Sequence, residues 1–342
     1  MRFSGVSAIV FGCMVLVGCT STGAGVDEIL AKPSLETTSS IVKPGNVVPP
    51  GEIGTAASSE AQPEEMTALA PSAPIPDAMV PMARMPETRT PAAEPVALVV
   101  PSKPPARTFE RGQVYRHRFR DAKPINFGRV SPRSLAVHGV DVSRWQGEID
   151  WAKLRSQGAN FVYIKATDGG DHLDPMFRKN WRQAGEAGLR RGAYHFFYWC
   201  RVASEQADWF IRNVPKVPGA LPPVIDVEWN GESRCKQRLP RKKVLEKMQV
   251  FMDRLERHYG QRPIIYTAPD FYRDNLKGEF RDYPFWLRSV AAHPSKVYPG
   301  REWVFWQYSG SGLSHGVDGR IDLNAFHGTE DQWHRWVAAN AR

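Results

Sequence analysis

Between Thr20 and Thr108 the chain has no phenylalanine, tyrosine or tryptophan. Such a stretch, crowded with Pro, Ala, Ser and Glu, cannot bury enough apolar area to offset its ordering entropy, so no folded domain is expected there. There is no nucleotide-binding glycine loop and no nucleophilic-serine arrangement. No zinc spacing surrounds His195, which reads as a buried hydrogen-bonding residue, and neither a metal nor a cofactor is expected. The apolar run from Val6 to Gly18 is too short to span a bilayer as a mature helix. What is present lies downstream: all eleven Trp fall between Trp145 and Trp336. Ser134 to Arg342 has the length and the large apolar side chains for one sizeable core.

Arg2 followed by that apolar run has the charged and hydrophobic regions of a secretory leader. Its end, Leu16-Val17-Gly18-Cys19, resembles the lipobox of bacterial lipoproteins, which implies a lipid-modified Cys19 at the start of the mature chain. An ordinary leader with a chance cysteine is the plainer alternative. Thr20, where an aspartate commonly signals inner-membrane retention, favours the outer membrane facing the periplasm. Removing the leader and Cys19 leaves Cys200 and Cys235, and an exported chain is expected to pair them. Formal net charge is +9, and Arg107 to Arg133 holds eight Lys and Arg against Glu110 and Asp121. That segment reads as a solvated arm, or as one attracted to acidic polymers or lipid head groups; the export signal disfavours nucleic acid. The expected division is a leader at 1–18, a disordered tether at 19–133 with a basic end, and a catalytic domain at 134–342, acting as a monomer. As flexible coil the tether would reach about 60 Å, and drawn out roughly 350 Å.

After Ser134, short apolar runs alternate with helical segments, the pattern of βα units around a parallel sheet. Strands are expected at Val137–Val142, Phe161–Ala166, Gly192–Tyr198, Pro223–Val227 and Pro263–Thr267. Helices are expected from Asp150, near Asp174–Ala187, from a Ser204 cap, and at Arg241–Tyr259 before Gly260. Later runs at Phe285–Leu287, Trp303–Tyr308 and Arg320–Leu323 lie too close for full crossover helices. The fold class is therefore α/β, an irregular (β/α) TIM-like barrel of about five βα units followed by three strands, with its site at the strands' C-terminal ends.

Asp226 and Glu228 close the fourth run, and i,i+2 spacing puts both side chains on one face about 7 Å apart. Paired carboxylates suit glycoside cleavage, one protonated to donate to the leaving oxygen and one ionised to balance positive charge at the sugar carbon. A barrel would bring Asp141 and Asp322 to the same mouth, although each also reads plausibly as a turn, cap or loop residue. Aromatics near strand ends, Tyr194, Trp199, Trp229, Tyr266, Trp306 and Tyr308, suit sugar stacking, but fewer than half are expected to touch substrate.

These signatures together resemble the glycoside hydrolase family 25 lysozymes, from about Val137 to Phe326. The pieces are Gly139-Val140-Asp141-Val142-Ser143 with Gln146-Gly147 and Ile149-Asp150-Trp151; Phe161 to Thr167; Ala187-Gly188-Leu189 with Gly192-Ala193-Tyr194-His195-Phe196; Pro223 to Glu228; Trp306-Gln307-Tyr308; and Asp322-Leu323-Asn324. The resemblance implies a muramidase cutting the β-1,4 bond between N-acetylmuramic acid and N-acetylglucosamine of peptidoglycan. It puts the acid at Glu228, its partner at Asp226, supporting carboxylates at Asp141 and Asp322, and substrate contacts at Asp168, Tyr194, Trp229, Tyr266, Trp306 and Gln307. Two departures stand out: Asp168 replaces the usual glutamate, and Arg288 and Val290 replace a usual small residue and nearby tyrosine. Simple spacing suggests inversion through a water, whereas the resemblance suggests retention with help from the substrate's own N-acetyl group. Other readings are a non-catalytic wall-binding lipoprotein and a hexosaminidase acting on another N-acetylated glycan.

Overall fold

The structure, a computed structural model, describes residues 111–231 and 233–341. The leader, Cys19 and the arm up to residue 110 lie outside that range.

Ten strands form one sheet: β1 (Arg120–Asp121), β2 (His138–Val142), β3 (Phe161–Asp168), β4 (His172–Leu173), β5 (Arg190–Phe196), β6 (Val224–Val227), β7 (Ile264–Thr267), β8 (Phe285–Arg288), β9 (Phe305–Leu313) and β10 (Ile321–Phe326). Nine of them follow the order β1-β9-β10-β2-β3-β5-β6-β7-β8, β4 pairs with β3 off this path, and a β8–β9 pairing closes eight of them into a barrel. Seven barrel strands run parallel, while β10 is antiparallel to both neighbours, β9 and β2. Strand β3 is buried at every position but its last, as expected of a parallel strand covered on both faces.

The helices are α1 (Trp151–Ser156), α2 (Phe177–Glu186), α3 (Ala203–Asn213), α4 (Arg241–Tyr259), the short α5 (Pro269–Phe271) and α6 (Pro294–Val297), and α7 (Glu330–Asn340). Asp150 caps α1 as read from the sequence, accepting from the Lys153 N–H at 2.9 Å, and α4 ends on Gly260 at φ +69°, a conformation that favours glycine. Two starts differ. Asp174 precedes α2 and instead accepts from the N–H groups of Arg144 and Met176, each at 2.9 Å, so it fastens the turn after β2. Ser204 lies in the first turn of α3, whose N-cap is Val202. Helix α7 had no counterpart in the sequence reading, although Thr329 and Gln332 form a reciprocal capping box.

Two apolar layers result. Helices pack on the outside of the strands, while Phe161, Tyr163, Tyr194, Tyr266, Trp286 and Phe305 fill the interior, with Phe326 and Trp333 of α7 closing its lower end. Gly192 makes room for this filling: a Cβ there would stand 2.2 Å from the Tyr163 ring.

The folded unit extends upstream of the boundary expected at 134. Asn160 exchanges hydrogen bonds of 2.8 and 2.9 Å with the Tyr115 backbone, and Arg118 N–H donates to Gln157 O at 2.8 Å. Then β1 pairs with Leu313 and Gly312 of β9, and Phe127 packs edge-on against Trp306 at 5.0 Å. Residues 111–133 therefore form a strap along the barrel rather than a solvated arm, because Tyr115, Phe119 and Phe127 supply the aromatic anchors that 20–108 lacks.

Candidate active site

The apolar run Val224, Ile225 and Val227 fixes β6 in the wall, and alternation along it sends Asp226 and Glu228 to the same side. Both are buried, at 1% and 2% exposure. Asp226 lies opposite Tyr266 of β7. Asp141, near the end of β2, pairs across with Asp322. Because β10 runs against the other strands, a residue near its beginning reaches the mouth formed by their C-terminal ends. All four predicted carboxylates thus meet at one end of the barrel.

Beneath them runs a chain of buried side-chain hydrogen bonds. Trp286 Nε1 donates to Asn324 Oδ1 at 2.8 Å, Asn324 Nδ2 to Asp141 Oδ2 at 2.7 Å, Gln307 Nε2 to the same oxygen at 3.1 Å, and Tyr266 Oη to Gln307 Oε1 at 2.8 Å. Two donors on one oxygen favour an ionised Asp141, but complete burial outweighs them and pushes its carboxyl up to about 6.

Glu228 is pushed further, to about 7, chiefly by burial; the Arg288 guanidinium is the largest opposing influence, Asp270 and Asp141 raise it, and a hydrogen bond from Tyr266 lowers it. A carboxyl still protonated near neutrality is what a general acid requires. Its Oε1 is buried with no hydrogen-bond partner among the described residues. Its backbone is fixed, since Trp199 Nε1 donates to Glu228 O at 2.7 Å. The following loop is held by Asn230, which accepts from Trp199 N–H at 3.1 Å and donates to Phe197 O at 3.1 Å, and by the Cys200–Cys235 disulfide, S–S 2.06 Å.

Other predicted residues separate into two groups. Tyr266 and Gln307 join the carboxylates through the chain just described. Tyr194 is a buried interior residue. Asp168 ends β3 and pairs with Lys165 at 2.9 Å. Trp306 and Trp229 do not offer open faces. Trp306, one residue off the inward Gln307, is fully buried in the outer layer with Nε1 donating to Ser289 O at 2.8 Å. Trp229 packs against Phe271 and Trp199, is covered by Arg238, and donates to Asp274 at 2.8 Å. Among the described residues the exposed tryptophan is Trp145, 47% accessible, on the 3-10 turn after β2 with Arg144 over its ring. The sequence reading passed over it, although its place directly after a strand end was the available signal. His195 is a packed residue, bonded to Thr167 Oγ1 at 2.7 Å and Gln206 Oε1 at 3.1 Å and lowered to about 4 by burial. Among the described residues, no group of three or more His, Cys, Asp or Glu is arranged to hold a metal ion.

Comparison with known proteins agrees with this geometry. A family 25 glycosyl hydrolase of Bacillus anthracis superposes with a TM-score of 0.56 at 37% identity, covering 61% of this chain and 95% of that one. A bacterial lysozyme from Streptomyces coelicolor gives 0.53 at 33%, covering 60% and 96%. In sequence, the chain is 40% identical to the YegX protein of Escherichia coli K12 over 63% of its own length and 79% of the relative's. It is 34% identical to lysozyme M1 of Streptomyces globisporus over 56% and 68%. The model of the glycosyl hydrolases family 25 matches residues 140–317, more than half of the sequence, and the chain belongs to that family.

Proposed function

We propose that the barrel is a muramidase, hydrolysing the β-1,4 bond between N-acetylmuramic acid and N-acetylglucosamine in peptidoglycan. The observation that carries this is Glu228, a buried carboxyl raised to about 7 at a mouth lined by further carboxylates. The lysozyme and muramidase names of its relatives support the substrate class.

In this reading Glu228 gives its proton to the glycosidic oxygen as the bond to the anomeric carbon breaks. The substrate's N-acetyl oxygen attacks that carbon from the opposite face, and Asp226 orients the amide and balances its positive charge. Water then attacks the anomeric carbon, giving a proton to the Glu228 carboxylate and reopening the ring, with retention. A direct water attack would invert; the roughly 7 Å spacing of the two acids leaves room for either nucleophile. Asp141 and Asp322 support the charge pattern, and Tyr266, Gln307 and Asp168 border the sugar.

Purified protein and its Glu228→Gln variant should be incubated with peptidoglycan and the released ends identified by mass spectrometry. Reducing N-acetylmuramic acid ends, absent with the variant, are expected; binding without cleavage would leave a wall-binding protein instead. Proton NMR of the first-formed anomer tests the stereochemistry: a β product is expected, and an α product rejects the assisted route.

The leader motif Leu16 to Cys19 supports a second part of the proposal, a monomer anchored through lipidated Cys19 to the outer membrane and working in the periplasm. Fractionation of cells carrying Cys19→Ser tests it, with release from the membrane expected.

A further inference from the structure

The mouth concentrates negative charge: Asp141, Asp226, Glu228 and Asp322 face it, and Asp270 on α5 acts on Glu228 from the side. Burying so many carboxylates together favours the neutral form of each, which would leave the acid without an ionised partner. One cation is built into the wall against this. Arg288 ends β8, two residues after Trp286, so the same alternation that turns Trp286 inward to Asn324 directs Arg288 inward at the mouth. It stands opposite Gln307 of β9, the residue that bonds Asp141.

Its backbone is fixed on both sides. Tyr298 Oη donates to Arg288 O at 2.6 Å, and next to it Ser289 N–H donates to Gln307 O at 2.9 Å while Ser289 O accepts from Trp306 Nε1 at 2.8 Å. Such anchoring holds a long side chain's root in one place. The guanidinium acts on Glu228, Asp141 and Tyr266, strands apart around the barrel, and in each case toward the ionised form.

We propose that Arg288 is the fixed counter-charge of the mouth, a positioning residue that keeps a carboxylate ionised beside protonated Glu228 and so sets the pH window in which the pair works. This rests on Glu228 being the acid. The groups acting on Glu228 are Arg288 on β8, Asp270 on α5, Tyr266 on β7 and Asp141 on β2; Glu228 acts in turn on Tyr298 after α6, and Asp226 shares its side of β6. Arg288 is the cation in this set, and it opposes Asp270 and Asp141.

The test is the pH dependence of kcat/KM and kcat on soluble peptidoglycan fragments, using the full chain, with thermal melting as a check on folding. Arg288→Gln is expected to move both limbs of the profile to higher pH by about one unit, with Arg288→Lys returning them toward wild type. Asp270→Asn is expected to move the alkaline limb the other way, and it keeps the question open to test should Arg288→Gln fail to fold. Limbs unmoved in all three variants overturn the proposal, as does a raised KM with unmoved limbs, which would make Arg288 a substrate contact. Loss of the acid reading would instead show as activity surviving in Glu228→Gln, a result independent of these limbs.

Discussion

Asn324 and Asp141 are joined across the antiparallel pairing of β10 with β2, Asn324 Nδ2 donating to Asp141 Oδ2 at 2.7 Å. The same amide accepts from Trp286 Nε1 at 2.8 Å, so one side chain satisfies an interior indole and a carboxylate of the mouth. Asn324→Ala leaves the buried Trp286 N–H unpaired and takes from Asp141 Oδ2 one of its two donors, Gln307 being the other, a loss of roughly 2–5 kcal/mol together. Urea denaturation monitored by tryptophan fluorescence should show a loss of that size; a loss below about 1 kcal/mol would mean water replaces the amide.

Glu228→Gln is predicted to remove activity by roughly two to four orders of magnitude, the usual contribution of a general acid, and to stabilise the fold above neutrality. In the folded state Glu228 is raised from 4.5 to about 7, so between those values the native chain holds a proton that the unfolded chain has released. Stability therefore falls as pH rises across that interval, and the cost is complete above 7. Glutamine carries no such cost. Comparing the two proteins by thermal unfolding, we expect a gain of roughly 1–3 kcal/mol at pH 8 and none at pH 4; an equal gain at both would assign the effect to packing.

Reducing the Cys200–Cys235 bond releases a loop of sequence separation 35 that carries Asn230 and the backbone beside Glu228. Loop-closure entropy sets the loss for Cys200→Ser/Cys235→Ser at about 2–4 kcal/mol. Rate should fall with it, because Asn230 and Trp199 hold the acid's backbone. An unchanged kcat in the folded double variant would separate the loop from catalysis.

A fragment beginning at Ser134 lacks β1, Phe119 and the Tyr115–Asn160 pairing. It should unfold at lower denaturant than one beginning at Arg111, by several kcal/mol of lost apolar burial and hydrogen bonding. Equal midpoints would show the strap to be dispensable.

Much of this was legible in the sequence for a physical reason: β6 and the long helix α4 are each bounded by local chemistry, an apolar run ending in Asp226-Val227-Glu228 and a helix stopped by Gly260. Residues whose meaning depends on register were not. Trp306 and Gln307 are neighbours in sequence, yet one packs outward and the other inward, which only the pairing with β8 and β10 decides. Asp322 was placed at the mouth correctly, but the reason, an antiparallel last strand, lies in closure rather than in any local pattern. The strap escaped because its three aromatics are scattered through a basic segment without periodicity, and α7 because a capping box says nothing about where its helix will dock.

The strap also links the two ends of the barrel. Arg111 is paired with Asp331 at the start of α7, the helix that stoppers the lower end of the barrel, and from there the chain climbs the wall to meet β9 near the mouth. Any pull applied upstream of residue 111 is thus delivered at the base, with the carboxylates at the far pole.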